Sequence, residues 1–249
     1  MIRAATGISA ERASGRAGRE AAAAAMERAG IRRAEVVLLY ASADHFSRME
    51  ELVGEVRGAS GARHVVGCSG YGVLTEEGEV EEGPGVALLV LEAPGMRLLP
   101  FLVEGLRDNP RRAGRQVARL ARGAGGRPLA VMLPDTYNLN GPELLGGLAA
   151  EAEGTPVVGG GASEEGSLRR TFQFLDGRLA TDAVAGLVMG GAFDYRLGVT
   201  QAYLPVGEPL MVTGAGGNFI HELGGKPAFE AFAQAAGPEL MADIQRAAA

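Results

Sequence analysis

The chain has 249 residues, a formal net charge of −6, and 47% hydrophobic against 22% charged residues. These are the proportions of a globular protein long enough to bury a sizeable core, and the acidic balance argues against nucleic acid, which needs a basic footprint. No run is long and apolar enough to span a bilayer, and the single cysteine excludes an internal disulfide framework and suits the cytoplasm.

Residues 1–7 read as a first strand. Residues 15–29 predict a helix with Ala22, Ala25, Met26 and Ala29 on one face and Gly30 as its stop. Residues 36–41 are almost wholly apolar, as in an inner strand covered on both faces. Asp44 is placed to cap the next helix. There Met49, Leu52, Val53 and Val56 follow the helical period and Gly58 ends the run. Residues 64–68 form another buried strand running into Gly67-Cys68-Ser69-Gly70. Residues 75–82 hold five glutamates around Gly78, an exposed hairpin tip that is either a solvated charge run or a cation site. Residues 85–91 and 96–103 are two strands joined at Pro94-Gly95.

Asn109-Pro110 opens a helix with Ala113, Val117, Leu120 and Ala121 inside and Arg111, Arg115, Arg119 and Arg122 outside. That basic stripe is either solvated or faces an acidic partner. After a strand at 129–133, Asn140 and Glu143 form a capping-box pattern. The helix they open buries Leu144, Leu145, Leu148 and Ala152 and stops at Gly154. Residues 156–160 are a strand ending in the turn Gly159-Gly160-Gly161-Ala162-Ser163. Asp176-Gly177 is a two-residue hairpin turn between residues 171–175 and the strand from 178. Residues 183–189 and 195–202 continue the sheet. Strands at 210–214 and 218–223 follow, then a helix from Pro227 to Ala235, a break at Gly237-Pro238 and a last helical stretch at 239–246.

Strand, helix, strand and glycine turn recur in one order at a nearly constant spacing: Val36 corresponds to Leu129, Val65 to Val157 and Val86 to Val184. The expected fold is α/β, with two pseudo-repeated β-α-β-β-β halves (about residues 1–107 and 108–205) forming stacked or continuous mixed sheets with helices outside. Residues 206–249 are expected to be a C-terminal extension, the start of a second module that is missing.

Three segments carry a family likeness. They are Val65-Val66-Gly67-Cys68-Ser69, Pro156-Val157-Val158-Gly159-Gly160-Gly161-Ala162-Ser163, and Val212-Thr213…Gly217-Asn218-Phe219-Ile220…Gly225-Lys226-Pro227-Ala228. Together they resemble the N-terminal module of the FIST domain, a sensory domain of bacterial signal-transduction proteins and eukaryotic F-box proteins. The resemblance implies sensing of amino acids or similar small metabolites, with a C-terminal FIST module or a signalling output domain as partner. It also implies haem binding and nitric oxide sensing as an alternative.

In open α/β sheets, ligands bind beyond the carboxyl ends of the strands. The candidate site is therefore Asp44, Gly67, Cys68, Ser69, Tyr71, Asp135, Asn138, Gly160, Gly161 and Ser163. Glycine-turn N–H groups suit a carboxylate, Asp135 or Asp44 an ammonium, and Asn138 or Tyr71 further hydrogen bonds. The alternative is that the glycines serve tight turns and the polar groups cap helices. A nucleophilic Cys68 needs a lowered pKa and a nearby base, and His64, four residues back on the same strand, is too far away for direct contact. A small buried cysteine is the other reading. Ser69 and Ser163 lack an adjacent base, and residues 67–70 are not a nucleophile elbow. His45, His64 and His221 have no metal-ligand spacing, so no metal or cofactor is expected, with His45 as the exposed axial ligand should haem bind. The expected function is a ligand-binding sensory domain without turnover. The alternatives are a haem-based nitric oxide sensor and a cysteine-dependent enzyme.

Overall fold

The computed structural model describes residues 1–166, 168–199, 207–217 and 219–243. Two compact units divide it, Met1–Tyr195 and Arg196–Ala249. The first unit opens with β1 (Arg3–Ser9), α1 (Ser14–Ala29), β2 (Val36–Ala41), a 3-10 turn (Ala43–Arg48), α2 (Met49–Ser60) and β3 (His64–Ser69). The small hairpin β4 (Val73–Thr75) and β5 (Gly78–Val80) follows, then β6 (Val86–Glu92) and β7 (Met96–Glu104). Next come α3 (Pro110–Ala124), β8 (Leu129–Pro134), α4 (Gly141–Ala149) and β9 (Val157–Gly159). The hairpin β10 (Gln173–Leu175) and β11 (Arg178–Ala180) leads into β12 (Ala183–Gly191).

Side-chain alternation along the strands decides how these elements stack. Val37, Leu39 and Ala41 of β2 pack with Ala21, Ala25, Leu52 and Val56 of α1 and α2. Their neighbours Val36 and Leu38 point the other way, onto Val131, Ala185 and Leu187. Ala130, Met132, Val184 and Val188 in turn face Val117, Ala121, Leu144 and Leu148 of α3 and α4. The unit is thus four layers, helices–sheet–sheet–helices, and the expected stacked mixed sheets with helices outside are what the chain forms.

One sheet has the order β1-β6-β2-β3-β10-β11 and the other β7-β12-β8-β9. Only β2–β3 and β8–β9 are parallel within them; the other pairs are antiparallel. The orders β1-β6-β2-β3 and β7-β12-β8-β9 correspond position by position. β6 and β7 are joined at Pro94-Gly95 as the turn residues suggest, but the chain changes sheet there.

Several local expectations are corrected. Gly58 does not stop α2, which runs on to Ser60; Gly61 ends it in the left-handed region (φ 61), donating to the Arg57 carbonyl at 2.8 Å. Asp44 does not cap α2: it lies inside the 3-10 turn and accepts from the Ser42 hydroxyl at 3.0 Å. Leu145 is not on the buried face of α4 but 48% exposed. Residues 195–199 form no strand, and residues 200–202 lie outside the described ones.

The two charge runs find partners within the chain. Arg111 pairs with Glu143 in the first turn of α4 at 2.8 Å, and Arg115, Arg119 and Arg122 gather on Glu151, just beyond α4, at 3.1–4.0 Å, so the basic stripe of α3 has its counter-charge on the neighbouring segment. In the acidic hairpin, Glu76 accepts from the Thr6 hydroxyl and Glu77 pairs with Arg28 at 2.7 Å. Among the described residues no three His, Cys, Asp or Glu side chains are grouped to hold a metal ion.

The second unit holds β13 (Val212–Gly216), β14 (Phe219–Leu223), β15 (Lys226–Pro227) and α5 (Ala228–Met241). α5 is broken at Gly237 (φ 77, ψ 167), ahead of Pro238, where the sequence signals a break. The expected strand start at Asn218 and the helical stretch beyond 243 fall outside the described residues. Among the described residues no helix is long and apolar enough to cross a membrane.

Candidate functional site at the mouth between the sheets

The turns that follow the parallel pairs meet. Pairing of β8 with β9 is extended by a bridge between Asp135 and Ala162, which brings the second turn alongside the first. Ser163 donates its N–H to the Ser69 carbonyl at 3.2 Å, and its hydroxyl accepts from the Tyr71 N–H at 2.9 Å. Ser69 exchanges backbone hydrogen with Phe172 as well, donating its N–H at 2.9 Å and accepting the Phe172 N–H on its hydroxyl at 3.1 Å. Both serines are therefore fasteners between turns.

Between the fastened turns lies a cavity of about 290 Å³. Tyr40, Cys68 and Leu133 rise into it from the layer between the sheets, Val73 and Leu74 of the β4 arm cover one side, and Gly159–Gly161 form another. The strand-end Gly159–Gly161 also borders a second cavity of about 220 Å³, walled by Leu139, Leu144 and Leu145 at the start of α4.

Gly160, like Gly54, Gly58, Gly123, Gly141 and Gly198, is a glycine that neither close packing nor φ requires, and it is the one of these that lines both cavities. A Cβ there would meet no protein atom within 4 Å, and its φ lies outside the left-handed region. Its bare backbone faces both cavities. Gly67 is the opposite case: a Cβ would lie 1.7 Å from the Leu39 carbonyl oxygen and 2.8 Å from the Phe174 ring. At Gly67 the β2 backbone and the Phe174 ring leave no room for a side chain, and the residue does not line the cavity. Gly161 lines the cavity, though a Cβ there would strike the Thr136 methyl at 2.1 Å.

Asp135 faces inward with no exposed surface. Its two oxygens accept four hydrogen bonds: from the N–H of Tyr137 at 3.0 Å, the Thr171 hydroxyl at 2.7 Å, the Asn138 amide at 2.6 Å and the N–H of Asp182 at 3.0 Å. A carboxylate has about four acceptor positions, so Asp135 is filled by the protein and holds three loops together. Asn138 is likewise spent, since its side-chain oxygen accepts from Arg107 Nε at 2.6 Å. Asp44 is exposed and lines none of these cavities, and Tyr71 borders a separate groove with Glu79–Glu82 beside the β4–β5 hairpin.

Of the sequence-derived residues, the structure gathers Cys68, Ser69, Gly160, Gly161 and Ser163 around one cavity and sets Asp44, Gly67, Tyr71, Asp135 and Asn138 apart from it. Sequence reasoning missed Tyr40, whose signal was a lone hydroxyl in the apolar run Val36–Ala41. It also missed Thr171 and Gln173, which continue the chain Gln173 Nε2 to Thr171 Oγ1 at 3.1 Å and on to Asp135. The side-chain oxygen of Gln173 is buried without a donor among the described residues.

Both ionisable groups at the cavity stay neutral. Burial pushes the Cys68 thiol up to about 12. Burial, with the nearby Cys68, pushes the Tyr40 hydroxyl up to about 12. His64 has turned away and meets Asp176 at 2.8 Å. His45 is not the exposed group expected of an axial ligand: it is wholly buried, its Nδ1 3.0 Å from the Ser14 hydroxyl, with its pKa lowered by burial against the opposing pull of Asp44.

The profile of the family described as the FIST N domain matches residues 35–226. An uncharacterized protein of Mycobacterium tuberculosis is 32% identical over 216 residues, covering 85% of this chain and 54% of that protein. An uncharacterized protein of Mycobacterium bovis is 30% identical over 217 residues, covering 84% and 54%. The chain spans about half the length of the curated relatives it matches. Among solved structures, a cyanuric acid hydrolase from A. caulinodans is similar with a TM-score of 0.38 and 10% identity, over 77% of this chain and 72% of that one.

Proposed function

The chain belongs to the FIST N domain family, a family of sensory domains, and from that premise we propose that it binds a small metabolite, without turnover, in the cavity between the two glycine turns. The observation that carries this is Gly160: a bare backbone facing empty space where neither packing nor φ requires glycine. A cavity of about 290 Å³ lies at the small end of the usual range of ligand pockets. Fastening of the turns through Ser69 and Ser163 preorganises it. The output partner, a C-terminal module or a signalling domain, belongs to the same proposal.

The rival readings find little support at the site. A thiol held up to about 12 with no base beside it is a poor nucleophile at neutral pH. A sealed His45 would have to leave Ser14 and the core to reach haem iron. The test is a thermal-shift screen of the full chain against a metabolite library, repeated with Gly160→Ala. Ligands that stabilise the natural chain but not the variant support the reading; equal stabilisation of both places the ligand elsewhere.

A further inference from the structure

We infer that this cavity selects an uncharged ligand, a largely apolar small molecule with a hydrogen-bonding edge, and not a zwitterion or a simple ion. The inference rests on the site proposed above and names what that site takes.

Among the described residues the walls contain no Asp, Glu, Lys, Arg or His. The neighbouring carboxylate, Asp135, which would hold an ammonium, already accepts four hydrogen bonds and lines neither cavity. Several of the turn N–H groups are spent within the fold: Gly70 donates to Ala41, Ala162 to Pro134, Ser163 to Ser69 and Tyr71 to the Ser163 hydroxyl. The Gly160 and Gly161 N–H groups at the cavity wall offer dipoles with no full positive charge beside them. Cys68 and Tyr40 are both neutral at physiological pH. A charge brought in here would lose water and gain no counter-charge, which disfavours its binding. An uncharged ligand escapes that cost and gains from Leu133, Val73, Leu74 and Ala87.

The polar edge has a place to go. The Tyr40 hydroxyl has no hydrogen-bond partner among the described residues and borders the cavity. Gln173 is paired with Cys68 across β10 and β3. It alternates with Phe174, which faces the helices, so its side chain, with the undonated oxygen, points into the layer between the sheets.

The experiment uses four probes with one ring and different charges: benzamide, benzoate, benzylammonium and phenylalanine. Each is titrated into the full chain and followed by calorimetry and by chemical-shift changes, with Gly160→Val and Tyr40→Phe in parallel. Benzamide is expected to bind at least about tenfold tighter than the charged three, to be lost in Gly160→Val, and to weaken about tenfold in Tyr40→Phe. If benzoate, benzylammonium or phenylalanine binds as tightly as benzamide and is lost in Gly160→Val, the site stands and its selectivity for uncharged ligands falls. If the bound probe is held equally by Gly160→Val, the site itself falls. Absence of binding by all four overturns both. Gly160→Ala, which adds one methyl into open space, serves the same comparison should the valine variant fold poorly.

Discussion

Ser163 donates its backbone N–H to the carbonyl of Ser69 at 3.2 Å although Ser69 ends a strand of one sheet and Ser163 follows a strand of the other. The same Ser163 takes the Tyr71 N–H on its hydroxyl, so one residue ties both turns. Ser163→Ala removes only the hydroxyl bond and is expected to cost about 1 kcal/mol. A lower urea midpoint at unchanged slope checks this, and an unaltered midpoint counts against the fastening role.

Asp135 is expected to act as a hub. Asp135→Asn turns an amide donor towards groups that themselves donate, leaving at least one of the four donors, among them the buried Thr171 hydroxyl, unmet. The expected loss is at least about 2 kcal/mol, or a fall in Tm of several degrees. A variant that keeps its stability and loses only ligand binding would return Asp135 to the role of ligand anchor.

Two glycines make opposite predictions for one methyl group. Gly67→Ala drives a Cβ into the Leu39 carbonyl and the Phe174 ring and is expected to destabilise by about 1–3 kcal/mol or more. Gly160→Ala meets nothing and is expected to leave stability unchanged or raise it by up to about 1 kcal/mol, while weakening ligand binding. Equal denaturation midpoints for the two variants would contradict the assignment.

The thiol and phenol set an alkaline limit. Cys68 is raised from 9.0 and Tyr40 from 10.0, each to about 12. A folded pKa above the unfolded one means the contribution is fully present below about pH 9 and drains away as pH rises towards 12. Denaturant titrations at pH 8, 9 and 10 should show falling stability, and Cys68→Ala should flatten the earliest part of the fall. His45 sets the acid side: its lowered pKa keeps it neutral in the fold, so stability is expected to drop as pH falls below about 6.5.

The fold was largely legible because apolar runs such as Val36–Ala41 and Leu129–Pro134 have few alternatives to a strand covered on both sides. The strand orders are compatible with the repeat read from their spacing. What sequence could not reveal was which partner a group already had. Asp135 looks like a free carboxylate until Thr171 and Asp182, 36 and 47 positions later, are folded onto it. Gly67 and Gly160 look alike in the chain, and the Leu39 carbonyl and Phe174 ring folded onto Gly67 distinguish them. Gly58 reads as the stop of the second helix, but the helix runs on to the buried Ser60 and it is Gly61 that takes the left-handed conformation.

The hairpin β10–β11 comes from the stretch of chain between β9 and β12, both in one sheet, yet it extends the other sheet beyond β3. The two slabs are therefore laced together by their own strands. A clamshell that opens like a pair of jaws is closed to this protein, because parting the slabs would tear out a strand pair. On the proposed reading, a ligand in the cavity is expected to be felt through smaller movements of the Val73-Leu74 arm or the fastened turns at its rim.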